Sequence, residues 1–255
     1  LPTETGITII EQAKRIISEK NILTEMIESK KGIINGELRI GIIPTLAPYL
    51  LPLFIQSFTK KYPLVKLMVT ELTTDLIVSR LRDGKIDVGL LVTPLENGIK
   101  EEPIFYEEMV AYVSKTNAAF KKKYVLPKDI DANKLWLLEE GHCFRSQIIN
   151  LCELRKSNFE SNHFNYEAGS FETLRRMVDL YDGFTILPEL ATFDMSAKQH
   201  QHLRYFKHPA PVREVSLVMH RNFVKRRLVE ALKQQIIATI PEKIKKNKKA
   251  LVVPV

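Results

Sequence analysis

The chain has 255 residues, 45% hydrophobic and 27% charged, a balance that excludes a disordered or fibrous polypeptide and allows one large or two small domains with ample core. No apolar run reaches the roughly 18 residues of a membrane span, and the opening carries no leader pattern, so the expected compartment is a reducing cytoplasm, where a disulfide is a signal rather than a staple. The net charge is +8, of which five lysines and one glutamate at 242–249 supply +4. That tail reads as a solvated, frayed end, and the remaining charge is too small to argue for nucleic-acid binding by this segment.

In chain order, residues 5–30 read as one long helix. Ile9, Ile16 and Leu23 repeat at seven, with Ala13 and Ile27 on the same side. The stripe is either a coiled-coil seam or the face of a helix packed on its own domain. Gly32 and Gly36 bracket a hinge. A strand at 37–43 follows, then Pro44-Thr45 and a helix to about Tyr62 with Leu50, Leu53, Phe54 and Phe58 as its inner face. A strand at 65–71, a helix at 75–83 and a strand at 86–91 continue the alternation, which predicts a parallel α/β sheet. Two long β-rich passages come next, Ile104–Ser114 and Val212–Val218. Between them the alternation resumes: strand 135–139, helix 143–155, strand 163–168, helix 171–181 and strand 184–187.

Gly141 to Cys152 holds both cysteines of the chain. The run Leu135-Trp136-Leu137-Leu138 before it reads as a buried strand, and Glu139-Glu140-Gly141 as a turn. Phe144, Ile148 and Leu151 then fall on one helical stripe. Cys143 stands at the helix N-terminus, where free N–H groups and the macrodipole favour an anion. A thiolate is the reactive species of a cysteine, so Cys143 is expected to be the faster thiol. Cys152 extends the apolar stripe and is expected to be buried. Nine residues of helix separate the sulfur-bearing positions by about 13 Å along the axis and roughly 180° around it. A disulfide needs Cα atoms within about 7 Å. The two cysteines can bond only if the helix comes apart, which is the layout of a redox switch. The plainer alternative is a pair of inert, buried thiols.

Gly-His-Cys-x-Arg at 141–145, with a second cysteine at 152, resembles the sensing motif of peroxide-sensing LysR-type transcriptional regulators. Leu-x-Asp-Gly-Lys-Ile-Asp at 81–87, Ser170 to Val178 and Gly183-Phe-Thr-Ile-Leu-Pro188 also look like that family. Tyr181 stands where the family has a glycine. The opening Leu1 to Gly6 resembles the junction between the family's winged helix-turn-helix and its linker helix.

The resemblance implies an α/β fold of two Rossmann-like subdomains joined by crossing strands, like a periplasmic binding protein, preceded by a linker helix. It implies a linker and dimerisation helix at 1–32, subdomain I at 36–110 with 215–240, subdomain II at 111–214 and a basic tail at 241–255. It also implies a redox role for Cys143 and Cys152, and a peroxide pocket formed by Thr45, Thr74, His142, Cys143 and Arg213, with Arg145 in support. Taken singly, Thr45 and Thr74 are also explained as helix N-caps, and either arginine as a surface residue. The family's histidine after the second cysteine is not carried over: His163 is near, but Asn165 aligns best.

The implied partners are hydrogen peroxide, further copies of the chain as a dimer or tetramer, DNA through a winged helix-turn-helix outside this sequence, RNA polymerase and a thiol–disulfide reductant. No cofactor, metal or membrane is implied. His200, His202 and His208 read as the composition of a polar loop rather than as a metal site, and Glu107-Glu108 as solvated carboxylates. Two other functions share parts of the pattern: a thiol peroxidase, and a LysR-type regulator gated by a small organic effector. No enzymatic turnover is expected.

Overall fold

The structure, a computed structural model, describes residues 3–29, 34–95, 99–153, 168–220, 225–247 and 251–254. Gly32, His163, Asn165 and the expected strand at 163–168, except Ala168, lie outside these residues. The described elements, in chain order, are α1 (Glu4–Ser29), β1 (Gly36–Ile42), α2 (Ala47–Lys61), β2 (Val65–Glu71), α3 (Thr74–Arg82), β3 (Val88–Thr93), β4 (Ile99–Val113), β5 (Tyr124–Val125), α4 (Cys143–Leu151), α5 (Phe171–Leu180), β6 (Phe184–Pro188), α6 (Ala197–His200), β7 (Leu203–Phe206), β8 (Pro211–His220), α7 (Arg226–Thr239), α8 (Glu242–Lys246) and β9 (Leu251–Val252).

The α/β expectation holds. β1 pairs β2 in parallel from Gly36↔Val65 to Ile42↔Glu71, and pairs β3 in parallel on its other side. The helices between them, α2 and α3, are the crossovers that parallel pairing requires. The sheet turns antiparallel where β8 joins β3 and then β4. Its order is β2-β1-β3-β8-β4-β7-β5, with β6 on β4 and β9 on β8. β4 is the long crossing strand. Ile99 to Glu108 pair β8, with a register shift that leaves Ile104 unpaired, and Met109 to Val113 pair β6.

Close approach dictates some small residues. A Cβ on Gly89 of β3 would lie 2.5 Å from Ile77 Cγ2 and 2.7 Å from Val218 Cγ2, so α3 packs tightly on the strand only with glycine there. Gly183 has φ +138°, a conformation that side-chain-bearing residues rarely adopt, and a Cβ there would strike the Lys134 carbonyl.

Buried side chains gather in two clusters. One collects β1–β3, α2, α3 and α7, with Leu38, Ile40, Phe54, Phe58, Val218 and Leu232 fully buried. The other collects the far half of β4, β6, α4 and α5, with Tyr112, Phe144, Ile186 and Leu187 fully buried. The helix α4 stands between them. Phe144 and Ile148 pack in the second cluster, whereas Cys143 belongs to the first.

Several local expectations are corrected. The segment 135–139 is not a strand: only Leu135 and Leu138 form bridges, to Phe184 and Ala168. The expected helix at 143–155 ends at Leu151, with Cys152 as its C-cap and Glu153 at φ 51°. Thr45 and Thr74 are not N-caps, because α2 begins after Leu46 and α3 after Thr73. His202 lies in the turn before β7 but is not solvated. It is 6% exposed, its Nδ1 lies 2.8 Å from the Val113 carbonyl, and its ring stacks on Tyr112.

The described part of the tail, 241–247 and 251–254, is not frayed either. Ile244 is fully buried in the first cluster and Val253 is buried in the second. Lys243 pairs with the buried Glu189 at 2.5 Å, and Asn247 Nδ2 donates to the same carboxylate at 2.9 Å. Buried Ile244 and Val253 drive this docking, and the lysines between them dominate the composition without deciding the packing.

Candidate functional site

The site lies where the C-terminal ends of β1 and β2 meet the start of α4 and the first residues of β8. Open α/β sheets place ligands at such strand ends, against helix N-termini. Thr45 follows β1 and is 3% exposed. Thr74 is the first residue of α3, and its buried hydroxyl stands beside the Cys143 thiol. Cys143 opens α4, is 7% exposed and carries a free thiol.

Arg213 is the centre of this arrangement. It is fully buried. Its Nε donates to Glu107 Oε2 at 2.7 Å, its Nη1 to the Thr45 hydroxyl at 3.2 Å, and its Nη2 to the Thr45 carbonyl at 3.2 Å. Its guanidinium lies over the Phe144 ring, 5.2 Å from the centroid. A buried guanidinium needs a compensating anion and hydrogen-bond acceptors; Glu107 supplies the anion, and Glu107 and Thr45 together supply three acceptors. Glu107 is itself fully buried and accepts the Leu190 amide at 2.6 Å, so the solvated reading of this carboxylate is wrong. Burial pushes its pKa up, and Arg213 pulls against that. The sequence does carry one signal for it: Glu107 is in phase with buried Phe105 and Met109 along β4.

Burial also decides the resting state of Cys143. It pushes the thiol above its ordinary range, against the pull of the Arg213 charge, the Thr74 hydroxyl and the amides of Phe144 and Cys143. The helix N-terminus acts as the sequence suggests, but desolvation outweighs it. Cys152 is half-buried against the second cluster. Its pKa is pushed up to about 12 by burial.

The remaining residues sit at the margin. His142 is buried, and its Nε2 lies 3.5 Å from the Glu139 carboxylate. Arg145 does not turn toward the thiol; its Nη1 donates to the Leu138 carbonyl at 2.7 Å and holds the approach to α4. The fold thus gathers Thr45, Thr74, Cys143 and Arg213, with His142 adjacent, and leaves Arg145 outside. Gln147, which sequence reasoning passed over, is fully buried one turn after Cys143 and donates from Nε2 to the Val253 carbonyl at 2.6 Å. Its Oε1 is buried without a partner among the described residues.

Comparison with known proteins bears on the family and the fold. Residues 31–240 match the family described as LysR substrate binding domain. The chain is 33% identical over 218 residues to a hydrogen peroxide-inducible genes activator of Dickeya chrysanthemi, covering 85% of this chain and 70% of that protein. It is 34% identical over 190 residues to the DNA-binding transcriptional dual regulator OxyR of Escherichia coli strain K12, covering 74% of this chain and 61% of the regulator. The crystal structure of OxyR from Porphyromonas gingivalis superposes with a TM-score of 0.78 at 31% identity, covering 87% of this chain and all of that one. The chain therefore belongs to the LysR substrate-binding domain family and is an OxyR-like LysR-type regulator.

Proposed function

We propose that this chain is the peroxide-sensing part of its regulator and that Cys143 is the sensing thiol. The observation that carries the reading is a buried thiol beside a buried cation, on a helix that ends at a second thiol. Peroxide enters beside Cys143, held by the hydroxyls of Thr45 and Thr74 and by the His142 ring. The Cys143 thiolate attacks one peroxide oxygen. The S–O bond forms, the O–O bond breaks, and the departing hydroxide takes a proton to leave as water. Arg213 stabilises both the thiolate and the departing charge. The resulting sulfenic acid condenses with Cys152: the S–S bond forms, the S–O bond breaks and a second water leaves.

The helix must open for that second step, because its geometry separates the two positions by about 13 Å. The opened segment changes how the subdomains at 36–110 with 215–240 and at 111–214 pack. That change reaches partner copies through α1 and repositions DNA-binding heads and, through them, RNA polymerase. A dithiol reductant resets the switch by thiol–disulfide exchange.

The test is intact mass and hydrogen exchange after one equivalent of peroxide. The protein should lose two hydrogens, and the amides of 144–152 should pass from slow to fast exchange while 37–42 changes little. Cys152→Ser should oxidise at Cys143 yet keep its helix slow. A disulfide formed with 144–152 still protected refutes the mechanism. Rapid consumption of peroxide far above stoichiometry with a reductant would instead mark a thiol peroxidase.

A further inference from the structure

The segment 251–254 makes an unexpected connection. Leu251 and Val252 pair in parallel with Pro211 and Val212, and the Val253 amide donates to the Val212 carbonyl at 2.9 Å. The next residue of β8 is Arg213, so this segment lies along the strand that carries the pocket cation. The Val253 carbonyl accepts the 2.6 Å bond from Gln147 Nε2, across 106 residues of chain. Gln147 stands four residues after Cys143 and five before Cys152. Any opening of the helix that lets the two sulfurs meet must move Gln147.

A buried carbonyl that loses its donor is costly, and so is the reverse. Val253 is 4% exposed and packs in the same cluster as Phe144 and Ile148. The helix and the segment therefore support each other through one buried hydrogen bond and a shared apolar contact. We infer that Gln147 is a positioning residue that latches the redox helix to 251–254, so that this segment holds the reduced state and is released when the Cys143–Cys152 disulfide forms. The inference rests on the switch reading above.

Linkage fixes the sign. A contact made only in the reduced form favours that form, so the latch makes the disulfide easier to reduce. Removing it moves the thiol–disulfide equilibrium toward the disulfide. The expected shift is about fivefold, the equivalent of about 1 kcal/mol for one buried hydrogen bond.

The experiment uses the whole chain, oxidised by hydrogen peroxide and poised with dithiothreitol. In hydrogen exchange, the Val253 amide should be slow in the reduced protein and in peroxide-treated Cys152→Ser, and fast in the disulfide form. Gln147→Leu keeps the volume and removes the donor. It should make Val253 exchange fast even when reduced and raise the disulfide fraction about fivefold at equilibrium. Val253→Pro removes the amide that holds the segment to β8 while changing no residue of α4, and should shift the equilibrium the same way. The latch is overturned if 144–152 opens in the disulfide form while Val253 stays protected, or if neither variant moves the equilibrium. If 144–152 itself stays protected in the disulfide form, the switch fails and the latch fails with it, and the two failures are distinct in one data set.

Discussion

Cys143 and Cys152 lie at the two ends of one short helix, and burial raises both thiols. Only Cys143 has a cation, a hydroxyl and helix amides working against that burial. The sequence expectation of a stabilised thiolate identified the right opposing influences and missed the larger one. A folded-state thiol pKa above the unfolded value means that the native state holds its proton more tightly. The associated stability is complete below the ordinary thiol pKa and is lost as pH rises toward the folded value. For Cys152 the window runs from the ordinary thiol value of 9.0 to about 12. Denaturant midpoints of the reduced protein should fall across that range, and Cys152→Ala should flatten part of the fall. An equally steep decline in that variant would deny Cys152 the role.

Among the elements, α1 differs most from the rest. Ile9 and Ile16 are each 63% exposed and Leu23 is 60% exposed, so the heptad face is not spent on packing within the chain. Of the two readings the sequence allows, the packed-helix one does not fit this exposure. Burying a face of this kind between two helices is the usual source of coiled-coil association. Ile16→Glu would put two carboxylates into a symmetric seam and should weaken self-association at least tenfold, on the order of 1.4 kcal/mol or more. Sedimentation equilibrium of the variant is the measurement, and an unchanged profile would leave the seam without support. The short crossover elements were readable because their apolar periods are local. The stretch 135–139 was not, because an apolar run does not say whether it meets one neighbour along its length or only single residues of two, as Leu135 and Leu138 do.

At the scale of the whole molecule, the Arg213–Glu107 pair ties β8 to β4 between the two buried clusters. Both side chains are fully buried, and the pair also fixes Thr45 through its hydroxyl and carbonyl. Arg213→Gln leaves Glu107 uncompensated and should destabilise the fold by about 3–5 kcal/mol, read from denaturant unfolding. Arg213→Gln with Glu107→Gln should recover much of that stability while leaving peroxide oxidation of Cys143 slow, because the charge that favours its thiolate is gone. Recovery of both stability and rate would remove Arg213 from the chemistry.

The sequence by itself determined the alternation of strands and helices, the buried inner face of α2, and the cysteine spacing along α4, all of which follow from short-range periodicity and the fixed rise of a helix. Glu107 could have been found on the same grounds, since its phase on β4 matches buried neighbours. Only the tertiary structure decided that Glu107 faces Arg213, that Cys143 belongs to one core and Phe144 to the other, and that a lysine-rich tail ends as a strand bonded to Gln147. Those contacts join residues about a hundred positions apart, where composition and local period carry no information. Which polar groups end up face to face there is settled by how the sheet closes, and by the free energy of leaving any of them buried and unpaired.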